Sequence, residues 1–335
     1  MTSPLLEALK RMGLPEAAEP NAWETLMLIK NASPVPPREG EVIWGFKFLL
    51  ANSNGEPAWF GRCGWGSPET MERECRLLLA LQADPATARY TPEVRVELNG
   101  HRTIQVSRHL GHSAYSLTIR KLSPPQWAQD VSDILVIAES TLARLQANIP
   151  EIFPADPLTY RHQALLRNCR VLKENGLPIA CVDRLRHHVE QHFDSLPVQL
   201  QHGDLWPTNV LRANERWWLI DYTECGMVWV PGYDLFMMLI NDPTGFSTSW
   251  IAWDHKLTKP DRWDETRSSI IKQFCERHGV TKLQVSVMLL HSLVHLAAYR
   301  MRDGVPLHLS SYWKDKLVQV DRFLADGSSL ESIAP

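Results

Sequence analysis

The chain has no strong excess of charge of either sign. Its 335 residues carry 35 Lys and Arg against 38 Asp and Glu, a formal net charge of −3. A nucleic-acid footprint shows as clustered Lys and Arg, and nothing here argues for one. Long apolar runs are missing as well. No run reaches the roughly 20 residues that a membrane-crossing helix needs, so no span is expected. The start, Met1-Thr2-Ser3-Pro4-Leu5-Leu6-Glu7, lacks the basic opening and apolar core of a signal peptide. Cysteine is sparse, at six residues with no C-x-x-C pair. Free thiols in a reducing cytoplasm are the expectation. Neither G-x-S-x-G nor G-x-x-x-x-G-K-[ST] occurs, which disfavours a hydrolase elbow and a P-loop.

What is present looks like an ordinary globular protein, with 44% hydrophobic and 22% charged residues. The length suits two lobes better than one small core. Tryptophan is abundant, at 13 residues. Most should be core, and some could line a pocket for a sugar or a cationic amine. His188 and His192, and likewise His291 and His295, stand one helical turn apart. Neither pair has the H-E-x-x-H order or an obvious third ligand, so both read as core or solvated histidines.

Periodicity places a short amphipathic helix over 3–12 and a linker over 13–21. Strand-like runs follow at Glu24–Ile29, Val42–Leu50 and Ala58–Cys63, the last two joined by the hairpin signal Asn52-Ser53-Asn54-Gly55. Ser67-Pro68 opens a helix carrying Met71, Cys75, Leu78 and Leu79. Glu93–Leu98 and Thr103–Ser107 are two more strands. Helices dominate from Pro124 on, at about 125–148, 160–175, 181–194, 234–240, 264–278, 281–302 and 310–325. Gln199–Gln201 and Trp217–Ile220 read as a strand pair among them. The class is therefore α+β, an antiparallel sheet with one helix followed by a mostly helical region.

Between that strand pair lies the densest chemistry. His202-Gly203-Asp204-Leu205-Trp206-Pro207-Thr208-Asn209 is followed by Leu219-Ile220-Asp221-Tyr222. Phosphoryl transfer from ATP uses such a set. One carboxylate orients the attacking hydroxyl, while an amide oxygen and a second carboxylate hold Mg²⁺ against the phosphates. The spacing matches the protein-kinase catalytic loop H-x-D-L-x-x-x-N, with Asp221 in the place of the later metal-binding Asp. Asp204 is the candidate base, and Asn209 and Asp221 are the candidate metal ligands. A carboxylate is too weak a base to remove an alcohol proton early, so Asp204 would accept it late in a loose transition state.

His202-Gly203-Asp204…Asn209, Ile220-Asp221-Tyr222 and Pro231-Gly232-Tyr233-Asp234-Leu235 together resemble the aminoglycoside phosphotransferase and choline kinase superfamily. The resemblance is specific over 199–240 and looser over 24–199 and 241–325. It implies a bilobal protein-kinase-like fold. Residues 1–22 would be an N-terminal helix and linker, 23–110 a nucleotide-binding small lobe, and 111–328 a catalytic and acceptor-binding large lobe. It also implies that His202 and Asp234 brace the catalytic loop, with Asp234 able to cap the following helix.

Arg62 and Glu74 would stand where the family has a basic strand residue paired with a helix Glu. Arg in place of Lys is a departure, since its planar fork replaces a point charge. Lys47 is the weaker substitute. The hinge Ser107–Leu110, including His109, would meet an adenine through backbone groups. The phosphate-covering loop would be 31–40, with one glycine and three prolines. That loop is stiff and poor in N–H donors, which counts against nucleotide binding there.

The expected activity is an ATP- and Mg²⁺-dependent kinase, with GTP as the other donor. Its acceptor would be a small-molecule hydroxyl on an amino sugar, an aminoglycoside-like compound, a sugar or an amino alcohol. It would bind beside Asp204, near Trp250, Trp253, Trp263 and Trp313 and acidic Asp254, Asp261, Asp264 and Glu265. The alternatives are a glycan kinase with an open tryptophan platform and an inert kinase-like binding module. Only nine residues separate Asp221 from Pro231, too few for a loop that cradles a peptide.

Overall fold

The structure is a computed structural model that describes residues 4–18, 26–29, 43–65, 68–99, 102–110, 114–213, 216–246, 248, 250–251, 263–302 and 307–334. The chain forms two compact units. The first contains 1–114, 144–152 and 209–223, and the second contains 115–143, 153–208 and 224–335.

The first unit opens with α1 (Pro4–Arg11) and α2 (Pro15–Ala18). Its sheet is built from β1 (Leu26–Ile29), β2 (Ile43–Ala51), β3 (Pro57–Trp65), β4 (Val94–Asn99) and β5 (Arg102–Arg108). Between β3 and β4 come α3 (Pro68–Ala83) and α4 (Pro85–Ala88). The strand order is β1-β2-β3-β5-β4, every neighbouring pair antiparallel. This is the antiparallel sheet that the strand pattern implies. The β2–β3 turn forms because Asn52 Oδ1 accepts from the N–H groups of Asn54 and Glu56, at 3.0 and 2.9 Å.

Alternation along β2 sends Phe48 and Leu50 to one face, and Ile104 and Val106 of β5 join them. Leu6 and Leu9 of α1 close over that face. The expected linker holds a helix instead. Ala17 is fully buried and Glu16 nearly so, and Trp59 Nε1 donates to Glu16 Oε2 at 2.8 Å. Pro15 at the first helical position, Glu16 in the first turn and two alanines favour α2 locally, and burial of Glu16 and Ala17 holds it in place. On α3, Cys75, Leu77 and Leu81 face inward, while Leu79 is half exposed and off the expected apolar stripe.

A second, short ladder belongs to this unit. β6 (Val210–Ala213) pairs with β7 (Arg216–Leu219), antiparallel. The expected partner of β7 was Gln199–Gln201, which is not a strand. The Gln199 and Gln201 N–H groups donate instead to the carbonyls of Trp229 and Val228.

The second unit is helical, with α5 (Tyr115–Thr118), α6 (Pro124–Asn148, its last turn counted with the first unit), α7 (Pro157–Glu174), α8 (Ile179–Phe193) and α9 (Tyr233–Leu239). A two-residue ladder of β8 (Asn241–Asp242) and β9 (Gly245–Phe246) follows, then α10 (Asp264–His278), α11 (Lys282–Arg302) and α12 (Leu307–Ala325). Every residue of α9 is buried. The central α11 packs against α7, α8 and α12. At its start α7 is capped by Asp156, whose carboxylate accepts from Thr159 N at 3.1 Å, worth about 1 kcal/mol. None of the six cysteines forms a disulfide. No single helix among the described residues is long and apolar enough to cross a membrane.

One packing detail in the sheet is tight. Gly61 sits opposite Phe48 across the β2–β3 pair, and a Cβ on Gly61 would lie 2.1 Å from the Phe48 ring. Phe48 is fully buried and has no free space to move into. Gly61→Ala should destabilise the protein by about 1–3 kcal/mol through overpacking, read as a lower urea midpoint. Phe48→Leu in the same chain should recover part of the loss. An unchanged midpoint in the single variant would contradict this packing.

Candidate active site

A cavity of about 500 Å³ lies wholly within the first unit. Phe60 of β3, Leu78 and Leu81 of α3, and Leu211 and Leu219 of the short ladder give it apolar walls. Lys47 and Arg62, directly paired across β2 and β3, supply positive charge. Ser107, His109 and Leu110 also line it, as do Asn209 and Asp221. The structure therefore gathers five sequence-identified residues, Arg62, Ser107, His109, Asn209 and Asp221, around one cavity.

Asp221 is the only non-glycine with positive φ among the described residues, at 63°. Asp tolerates the left-handed region better than most side chains but still at some cost. The backbone on its N-terminal side is fixed, with Leu219 N–H donating to Tyr90 O at 2.7 Å and Ile220 N–H to Asn209 O at 3.0 Å. Thr223 Oγ1 donates to Asp221 Oδ1 at 2.7 Å, and the Arg62 guanidinium stands 3.6 Å from that same oxygen. Arg62 is in turn oriented by Gln105 Oε1, which accepts from its Nε at 2.8 Å. Glu74, the expected partner of Arg62, lies on α3 with its side chain outside the described residues. So does the whole 31–40 loop.

The hinge differs in one respect from the expectation that its backbone meets an adenine. The N–H of Arg108 donates to Glu93 O and that of His109 to Ala58 O, both at 2.8 Å. Those two donors are committed to the sheet.

The second unit holds Asp204 with His202 and Asp234. The Asp234 carboxylate is buried, and its two oxygens accept from the N–H groups of His202, at 2.7 Å, and Gly203, at 3.0 Å. Asp234 N–H donates to Gln201 Oε1 at 3.2 Å. Gly203 has φ 85°, and a Cβ there would come within 2.5 Å of the Glu224 carbonyl oxygen, so only glycine fits. His202 is fully buried, and its Nδ1 accepts from Asp204 N–H at 3.4 Å. The Asp204 carbonyl accepts from Trp206 N–H at 2.8 Å, which closes the turn.

A family model described as the phosphotransferase enzyme family, APH, matches residues 60–265, more than half of the chain. The chain belongs to this phosphotransferase family. No curated protein matches it in sequence. Its fold is similar to that of an ethanolamine kinase from Plasmodium vivax, with TM-score 0.58 and 14% identity over 92% of this chain and 85% of that one. A choline kinase from Cryptosporidium parvum matches with TM-score 0.58 and 11% identity, over 96% of each chain. A thermostable mutant of aminoglycoside phosphotransferase APH(4)-Ia, in ternary complex with ADP and hygromycin B, gives 0.54 and 15% identity, over 96% and 98%.

Of the four tryptophans expected near the acceptor, the three that lie among the described residues are in the interior. Trp250, Trp263 and Trp313 are buried, at 2%, 2% and 4% exposure. Trp263 packs edge-on against Trp127, and Trp250 lies near Phe236. Asp264 pairs with Arg267 at 2.6 Å. Trp253, Asp254 and Asp261 lie outside the described residues. Sequence alone does not distinguish core indoles from exposed ones, and here three of the four are core.

What lies beside Asp204 is a small notch lined by Trp206, Glu224, Tyr233, Tyr299 and Arg300 among others. Sequence reading singled out none of these five side chains. Tyr299 Oη donates to Glu224 Oε1 at 2.7 Å. Burial, reinforced by the charges of Asp204 and Glu224, pushes the Tyr233 phenol well above its usual pKa, so it stays protonated. The buried His291 is held well below its usual pKa by burial, and the half-buried His295 contacts Asn168 through Nδ1 at 3.1 Å.

Burial also pushes the Asp234 carboxyl up to about 7, against the pull of its two N–H donors. The folded state thus binds this proton more tightly than an unfolded Asp, whose pKa is about 3.9. Its contribution to stability is full below that unfolded value and falls as pH rises through about 7. Urea midpoints measured from pH 4 to 8 should show this loss in the wild type and less of it in Asp234→Asn. Asp234→Ala leaves two buried N–H groups unpaired and should cost about 2–5 kcal/mol. A pH profile that Asp234→Asn does not alter would count against the assignment.

Proposed function

We propose that this phosphotransferase is an ATP- and Mg²⁺-dependent kinase that phosphorylates a hydroxyl of a small molecule. The observation that carries the reading is Asn209 and Asp221 on the wall of one cavity with Lys47 and Arg62. The cavity has the size of a ligand pocket, with apolar walls for a base and two cations for phosphates. The complex of APH(4)-Ia with ADP and hygromycin B supports a nucleotide donor and a small acceptor.

Asn209 and Asp221 offer hard oxygens of the kind Mg²⁺ selects, and the hydrogen bond between Ile220 N and Asn209 O ties the two ligand positions together. Once bound, the ion would neutralise charge on the phosphates. Arg62, turned by Gln105, would bind phosphate oxygens through its fork. Ser107 and His109 would border the base.

The acceptor oxygen attacks the γ-phosphorus, and the bond from that phosphorus to the bridging oxygen breaks. Its electron pair leaves on ADP. The hydroxyl proton passes late to Asp204, which His202, Gly203 and Asp234 hold in place.

Thermal-shift titration with Mg²⁺ plus ATP, GTP or a non-hydrolysable analogue tests the donor site. A Mg²⁺-dependent shift is expected in the wild type, lost in Asp221→Ala and kept in Asp204→Asn. Turnover in Asp204→Asn should fall on the order of 10²- to 10⁴-fold. Wild-type turnover in that variant would remove Asp204 from the role. No shift with any nucleotide would favour an inert binding module.

A further inference from the structure

Among the described residues that line the notch beside Asp204, the one Lys or Arg is Arg300 of α11. Its guanidinium lies over the Trp206 ring, 5.5 Å from the centroid, and 5.8 Å from that of Tyr299. Two aromatic rings pack against this flexible side chain. Among the described residues its guanidinium makes no hydrogen bond, so the fork is open to another partner. Among the described residues no carboxylate lies within ion-pair distance of Arg300. Glu224, the neighbouring acid, is bonded to Tyr299 Oη instead. The closed part of the notch has room for about one water-sized group, roughly 10 Å³, so a ring is excluded from it and a larger group reaches Arg300 from the open side.

We infer that Arg300 is a specificity-determining residue, and that the acceptor is a small alcohol bearing an anionic group, a carboxylate or a phosphate, held by the Arg300 fork. This inference rests on Asp204 being the base of a kinase. A planar fork pairs with a carboxylate through two parallel bonds, and with a phosphate in the same way. An acceptor tethered there by its anion would bring its hydroxyl to the carboxylate that lines the same notch. A purely cationic amine or a neutral polyol would offer this half-buried guanidinium no counter-charge.

The test uses matched alcohols with Mg²⁺ and radiolabelled ATP. Glycerate and gluconate are the carboxylates, glycerol phosphate the phosphate, homoserine a zwitterion, and glycerol, sorbitol and propanolamine the controls without an anion. At least one anionic compound should be phosphorylated, with kcat/KM at least about tenfold above its matched control. The relative rates of glycerate and glycerol phosphate then separate carboxylate from phosphate. Arg300→Gln should raise the KM for that acceptor about tenfold or more while kcat changes by less than about threefold. Arg300→Lys, which keeps the charge without the fork, should fall between the two.

Turnover of the controls alone, or of no compound in the panel, overturns the acceptor class. So does an unchanged KM for the anionic acceptor in Arg300→Gln. A rise in the KM for ATP instead would place Arg300 on the donor and also overturns it. Slow hydrolysis of ATP by water, dependent on Asp204, reports the underlying kinase activity separately. If hydrolysis persists while the panel fails, only the acceptor inference falls.

Discussion

One buried carboxylate holds the Asp204 loop. The segment from Gln201 to Asp204 belongs to no strand or helix, so its N–H groups have no ladder to join, and in a dry interior each must find a partner. Asp234 takes two of them, one on each oxygen, and Gln201 returns a bond to the Asp234 N–H. This closed exchange fixes the loop against the start of α9, a helix buried along its whole length. The glycine between His202 and Asp204 is required by the same packing, because the Glu224 carbonyl stands where a Cβ would be. The bracing comes at an electrostatic cost, since desolvation outweighs the two hydrogen bonds in setting the Asp234 titration.

The first unit solves a similar problem by a different route. Asp221 is held in a left-handed conformation that few non-glycine residues occupy. Such strain persists only where the surroundings over-determine it. Here backbone bonds at Leu219 and Ile220 fix the approach, and Thr223 and Arg62 hold the side chain. Arg62 is positioned in turn by Gln105 from the adjacent strand. The carboxylate is thereby held by its neighbours, Thr223 and Arg62. That arrangement is economical for a side chain that must face a cavity rather than pack.

The fold class was legible because strand alternation and helical periodicity are local signals. The motif was legible for the same reason where it is local, since Asp204 and Asn209 are near neighbours in sequence, while the bracing role of Asp234 was legible only through the family resemblance. Interactions between distant residues were not. Gln105 is 43 residues from Arg62, and Glu224 is 75 from Tyr299, separations at which a single sequence carries no pairing signal. β6 was missed because Val-Leu-Arg-Ala has a single β-branched residue and no aromatic, and so carries little strand preference. Gln199–Gln201 looked like a strand because its backbone is paired, but with carbonyls at 228 and 229 outside any strand. The α2 helix was missed because its four residues are too few to show a helical period, although Pro15 at its start and two alanines favour it locally.

Tryptophan shows how composition misleads about chemistry. A chain rich in indole suggests a surface for stacking sugars, yet Trp250, Trp263 and Trp313 are spent on the interior. Among the described residues, the tryptophan that lines the notch beside Asp204 is Trp206, and it has a guanidinium over its ring. An indole face covered by a cation is not offered to a sugar or an ammonium group. Structures 11–15% identical share the fold and leave the acceptor open. Discrimination among acceptors must then come from the few charged and hydroxyl groups around Asp204. There the balance of Glu224, Tyr299 and Arg300 differs from an all-acidic surface, which would select polycations by charge alone.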